Sequence, residues 1–355
     1  MQMRLAVKRW RLVYHCGMSE SNAVIFGCAG PELSPDEAAF FADTRPWGFI
    51  LFGRNIVSKS QVAELTARLR ESIGRPDAPV LIDQEGGRVQ RFKPPLVPQY
   101  PSGADLGALY LANPEAGLRA TWIMSRLHAI DLFPLGINVD CLPVLDVPSP
   151  GGHEVIGNRA YGITPEVVSV LGQAACDGLK AGGLLPVIKH IPGHGRAGAD
   201  THFELPHVDA SHEELSAHDF LPFKALAGEA MAMSAHVVFT ALDAENPATT
   251  SPRVVEQIIR SEIGFDGLLM SDDVSMNALS GDFATRTRAI FAAGCDVTLH
   301  CNGVRAEMEA VASATPVLAD VALRRASDVM TAFRAPDDSD EAALREEFEG
   351  LMAAS

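Results

Sequence analysis

Eight short apolar runs punctuate the chain, at residues 24–30, 48–53, 80–83, 137–146, 185–190, 232–240, 267–272 and 296–301. Each is rich in Val, Ile, Leu or Met and is followed by Gly, Pro, Asp or His. Strands buried on both faces read as continuous apolar stretches without alternation. Helical patterns lie between most of them. Val62, Leu65, Leu69 and Ile73 recur at spacings of three and four, and 118–132 and 167–179 are amphipathic and free of Pro. Gly182 and Gly183 stand where the second of these would stop. Ser251-Pro252 supplies a cap and first turn for 254–263, which Gly264 closes, and 283–293 ends at Gly294.

Strand and helix alternating eight times predict an α/β chain, a single (β/α)8 barrel. A doubly wound open sheet shares the alternation. The barrel is favoured because polar residues follow at least five different strands, and a barrel gathers all its strand ends around one mouth, whereas an open sheet has one crevice. The expected organisation is an N-terminal extension over 1–20, the barrel over 21–335, and an acidic helix and tail over 336–355. Met18 offers a second start, which would make 1–17 an extension. The longest connection without regular pattern is 192–213, and loops of that length in compact domains are usually functional.

Composition narrows the chemistry. A formal net charge of −16 over 355 residues speaks against nucleic acid as a partner, because phosphate binding needs a basic face. No run approaches the roughly 18 apolar residues of a membrane span, and residues 1–20 lack the apolar core of a secretory signal. None of the six cysteines forms a Cys-x-x-Cys pair, and several sit in apolar runs, which suits a reducing, cytoplasmic setting.

Four strand ends carry the candidate chemistry. Asp83 closes the third run before Gly86 and Gly87, which permit a tight turn; its carboxylate can accept hydrogen bonds from sugar hydroxyls or cap a helix. Lys189-His190 at the end of the fifth run, followed by Pro-Gly-His194, is costly to bury unless the groups are paired or used. In Asp200-Thr201-His202, residues two apart on an extended segment point the same way, so Asp200 can steer the imidazole of His202. Asp272-Asp273 ends the seventh run. The two point opposite ways, and local pattern does not decide which faces the mouth. Arg159 can clamp a hydroxyl or carbonyl oxygen, but on its own it reads sooner as a surface ion pair. His128, His218 and His236 carry no pattern and read as structural, and Trp122 and Met124 read as core.

Taken in order, IDQEGGRVQRF (82–92), IGNRAYG (156–162), KHIPGHG (189–195) with ADTH (199–202), and GLLMSDDVSM (267–276) resemble glycoside hydrolase family 3, and within it the short bacterial β-N-acetylglucosaminidases of peptidoglycan recycling. The resemblance spans roughly residues 23–302. It implies Asp272 as nucleophile, His202 as acid/base with Asp200 as its partner, and Asp83, Arg91, Arg159, Lys189 and His190 as the residues that hold the sugar. It implies a retaining hydrolase releasing terminal β-linked N-acetylglucosamine from muropeptide fragments, with no cofactor and no metal. Two other readings are open. Phosphate could replace water as the attacking group. The cluster of His190, His194, His202, His207 and His212 with Asp200 and Asp209 could serve a metal-dependent amidohydrolase.

Overall fold

The computed structural model describes residues 20–149, 152–199, 201 and 204–353. The expected extension over 1–17, and both Asp200 and His202, lie outside the described residues. Eight strands follow the eight apolar runs: β1 (Asn22–Gly27), β2 (Pro46–Leu51), β3 (Val80–Ile82), β4 (Val139–Asp140), β5 (Leu185–Pro186 and Ile188–Ile191), β6 (Met231–Ser234), β7 (Leu268–Asp273) and β8 (Val297–His300). Every pairing between them is parallel. The order runs from β5 through β4, β3, β2, β1, β8, β7 and β6. The first half of β5 pairs with β4 and the second half with β6, so the nine segments form a nearly closed barrel.

Helices separate the strands: α1 (Pro35–Thr44), α2 (Lys59–Ser72), α3 (Gly103–Ala112), α4 (Pro114–Leu132), α5 (Pro165–Ala181), α6 (His212–Ala217), α7 (Leu221–Ala225), α8 (Val254–Glu262), α9 (Phe283–Ala293), α10 (Arg305–Ala314), α11 (Asp320–Ala332) and α12 (Glu341–Ala353). Local chemistry sets their ends. Thr164 caps α5 by accepting the Val167 N–H, with Pro165 in the first turn. Ser251 Oγ accepts the Val254 N–H at 3.1 Å to start α8. Gly294, at φ 101°, ends α9 in the left-handed conformation that glycine adopts without strain.

The strands are buried on both faces, and the two faces belong to different layers. Ile25, Leu81, Val139, Leu185, Val187, Met231, Met233, Leu268, Met270, Val297 and Leu299 fill the barrel interior, together with Leu318, Ala326, Val329 and Met330 from the chain around α11. Val24, Phe26, Phe49, Leu51, Val80, Ile82, Ile188 and Leu269 face the helices. Side chains alternate along each strand, so a residue two beyond an interior position shares its direction. α12 lies on α4: Leu344 and Phe348 join the outer core, Arg119 pairs with Glu347, and Arg345 reaches Asp131 at 3.0 Å. Among the described residues no helix is long and apolar enough to cross a membrane.

Candidate active site

Asp83, Lys189 and Asp272 each lie two residues beyond an interior position of their strand, after Leu81, Val187 and Met270. They therefore share the inward phase at the same end of the barrel. Asp83 and Lys189 begin a continuous row of charge. Arg91 donates to Asp83 Oδ2 at 2.8 Å, Lys189 Nζ reaches Asp83 Oδ1 at 2.9 Å and Glu85 Oε1 at 2.6 Å, and Arg159 grips Glu85 through two bonds of 2.8 Å. Three cations thus face two carboxylates. Burial alone would push both acids up. Lys189 and Arg91 outweigh it at Asp83 and hold that carboxyl well below the usual range, while Arg159 and Lys189 hold Glu85 down to about 2. Ionised Asp83 keeps lone pairs free for a bound hydroxyl, since a carboxylate offers about four acceptor positions.

The Gly86-Gly87 turn makes this row possible. Gly86 has φ 94° and a Cβ there would lie 2.2 Å from the Pro101 carbonyl oxygen, so only glycine fits. Gln84, between the two acids, accepts the Arg91 and Phe92 N–H groups at 3.0 Å each and fixes the strand that returns Arg91 toward Asp83.

The paired aspartates at the end of β7 have separate tasks. Asp273 Oδ1 accepts the N–H groups of Ser275 at 3.0 Å and Cys301 at 3.2 Å, and its Oδ2 accepts the Ser275 hydroxyl at 2.6 Å. It ties the loop after β7 to the end of β8. Among the described residues Asp272 Oδ1 accepts only the neighbouring Asp273 N–H, at 2.8 Å. Burial raises this carboxyl, but the imidazoles of His236 and His190, the Asp273 N–H and His194 together hold it below the ordinary value. It is a buried, ionised carboxylate with its second oxygen unengaged by any hydrogen bond among the described residues.

Histidines surround it. His190 Nδ1 lies 2.7 Å from Asp146 Oδ2, and the rings of His190 and His194 meet edge to face with centroids 5.7 Å apart. Burial, and then the charge of His190, depress His194 to about 4, so its ring is neutral near neutral pH. His236 is fully buried, 2.8 Å from the Thr249 hydroxyl and 3.1 Å from the Asp273 carbonyl oxygen. Thr201 is buried and its carbonyl accepts the Ala278 N–H, from the loop after β7, at 3.2 Å.

The structure therefore brings together Asp83, Arg91, Arg159, Lys189, His190 and Asp272. Arg159 is not the surface cation its chemistry alone suggested; it is clamped on buried Glu85. Glu85 and Asp146 join these residues, and each is a polar side chain next to or at the end of an apolar run, which is the signal that marks it. His236, expected to be structural, holds the Thr249 hydroxyl and the Asp273 carbonyl. Of the proposed metal cluster, His207 and His212 lie on the outside, His212 paired to Glu262 at 2.6 Å. Among the described residues no group of three or more His, Cys, Asp or Glu side chains is arranged to hold a metal ion.

A parallel barrel whose mouth holds an inward, ionised carboxylate beside a charge-paired polar row is the architecture of a barrel enzyme acting on a polar small molecule. Comparison with known proteins makes this specific. Residues 27–325 match the glycosyl hydrolase family 3 N terminal domain. A beta-hexosaminidase from Methylococcus capsulatus is 41% identical over 282 residues, covering 78% of this chain and 82% of the relative. NagZ from Neisseria gonorrhoeae, solved in complex with N-trifluoroacetyl-D-glucosamine, superposes with a TM-score of 0.82 at 31% identity, over 96% of this chain and 98% of that one. A family 3 beta-N-acetylglucosaminidase from Paenibacillus gives a TM-score of 0.81 at 29% identity, over 94% and 67%. The chain belongs to glycosyl hydrolase family 3, and it is a glycoside hydrolase.

Proposed function

We propose that this enzyme removes terminal β-linked N-acetylglucosamine from peptidoglycan fragments of the GlcNAc-anhydro-muropeptide type, with retention at the anomeric carbon. The observation that carries the reading is the division of labour at β7: Asp273 is occupied by Ser275 and Cys301, while Asp272 points inward, ionised and, among the described residues, unengaged at one oxygen. A retaining glycosidase needs a carboxylate on one face of the sugar and a proton donor near the glycosidic oxygen. Asp272 forms the covalent glycosyl-enzyme. His202, steered by Asp200, protonates the departing oxygen and then takes a proton from the attacking water. An imidazole suits that double role, since its ordinary pKa lies near neutrality.

Asp83, Arg91, Arg159, Lys189 and His190 hold the sugar. Their mutual pairing supports this role, because a row of fixed charges presents donors and acceptors without reorganisation when substrate arrives. The beta-hexosaminidase name of the Methylococcus relative and the glucosamine derivative bound to the Neisseria protein support N-acetylglucosamine as the sugar. All five described cysteines are free and buried, which supports a cytoplasmic setting. Trapping with a 2-fluoro or 5-fluoro sugar and peptide mass mapping tests the mechanism. The label is expected on the peptide containing Asp272; a label elsewhere refutes the assignment. Rates and products with and without phosphate distinguish water from phosphate as the attacking group.

A further inference from the structure

Asp146 lies behind the site, fully buried, and no role in the reaction outlined above falls to it. It follows the β4 strand and makes three contacts to the turn that leaves β5. Its Oδ1 accepts the His190 N–H at 3.2 Å and the His194 N–H at 2.7 Å; its Oδ2 meets His190 Nδ1 at 2.7 Å. One carboxylate thus binds both ends of the 190–194 turn and one ring edge. A carboxylate without a proton can only accept, so the hydrogen in the third contact must sit on His190 Nδ1. Burial opposes ionisation of Asp146, but the charge of His190 and its hydrogen bond outweigh it and hold the carboxyl below its ordinary value.

We propose that Asp146 is a positioning residue for the reaction: it keeps a proton on His190 Nδ1, so that Nε2 is the ring edge left to face substrate, and it seats the His190–His194 turn beside Asp272. A fixed tautomer determines what the free edge of a histidine can do, as in carboxylate-oriented imidazoles elsewhere. With Nδ1 committed, Nε2 is an acceptor when the ring is neutral and a donor when it is charged. The neutral ring at His194 is then placed by its own backbone N–H, independently of its side chain. This inference rests on His190 as a sugar-holding residue, the reading given under the proposed function.

The test has one arm on the unaltered protein. With 15N-histidine-labelled full-length enzyme, the His190 ring signals are assigned by their loss in His190→Ala, and the protonation of each nitrogen is read directly. A proton on Nδ1 is expected; an unprotonated Nδ1 overturns the proposal without any variant of Asp146. In Asp146→Asn the amide oxygen can keep the two backbone N–H groups, and the NH2 then faces Nδ1, forcing the proton to Nε2. The expected result is a reversed tautomer, an altered pH profile, and kcat/KM lower by roughly ten- to a hundredfold, the range for carboxylates that orient a metal-bound histidine. Lowered stability with an unchanged tautomer and pH profile would make Asp146 a structural tether and refute the role. If the wild-type enzyme does not cleave β-N-acetylglucosaminides, the proposed function fails while the ring-protonation result still decides the placement of the proton.

Discussion

Removing Lys189 tests the charge row at its centre. Lys189→Met keeps length and apolar volume and deletes only the ammonium. At 2.9 Å from Asp83 and 2.6 Å from Glu85, each contact is worth roughly 6 kcal/mol of Coulomb attraction at an effective dielectric of about 20, before desolvation is charged against it. The net figure is far smaller. Breaking a buried pair so that a charge is left uncompensated costs about 3–5 kcal/mol. Here Asp83 retains Arg91 and Glu85 retains Arg159, so the variant should fall at the low end, about 3 kcal/mol. The pH dependence gives a second signature. Glu85 has a depressed pKa, about 2 against an ordinary 4.5, and Asp83 lies below its ordinary 3.8. A depressed acid stabilises the fold above its unfolded pKa and loses that contribution as pH falls through its folded pKa. Without Lys189 both folded values rise, so the gap between wild type and variant should be constant above about pH 5 and shrink steadily below 4.5. Urea unfolding across that range, followed by fluorescence, measures it. A loss under about 1 kcal/mol at pH 7, or a gap that does not narrow in acid, would refute the account of the row as a mutually neutralising unit.

The other expectations concern the reaction. Asp272→Ala should lower kcat by about 10⁴-fold or more, the scale seen when a covalent enzyme loses its nucleophile, with the unfolding midpoint at or above that of wild type; near-normal turnover of an aryl N-acetylglucosaminide would refute the nucleophile. Asp273→Asn keeps an acceptor for the Cys301 and Ser275 N–H groups and should retain activity within about tenfold while losing about 1–2 kcal/mol of stability, as for a charged hydrogen bond made neutral; complete inactivity alongside an active Asp272→Ala would exchange the two assignments. His202→Ala should slow substrates with poor leaving groups far more than activated aryl glycosides, because only the former need protonation; equal losses on both, compared by steady-state kinetics, would argue against the acid/base role.

The barrel was legible because parallel strands buried on both faces must be apolar throughout, and each of the eight runs became a strand. The same property hid the orientation of the side chains. Leu268, Leu269 and Met270 are all apolar, so nothing in the β7 sequence says which phase points inward, and Asp272 could not be told from Asp273 by pattern. The barrel decides it: Leu268 and Met270 fill the interior, Leu269 faces the helices, and Asp272 continues the inward phase. Arg159 was ambiguous for a different reason. Its partner Glu85 is 74 residues away, and a pairing at that distance leaves no local trace. Asp146 and His236 only bound or interrupt an apolar run, so local pattern assigns neither a role. A polar residue at the end of a doubly buried strand has no solvent to satisfy it, so it must find a partner or face the cavity at the mouth. Asp146 found His190 and His194, and His236 found Thr249 and the backbone that carries Asp272. The exception to an apolar run is therefore the informative residue in a barrel of this kind, and its partners, which sequence does not reveal, decide whether it holds substrate or holds the residue that does.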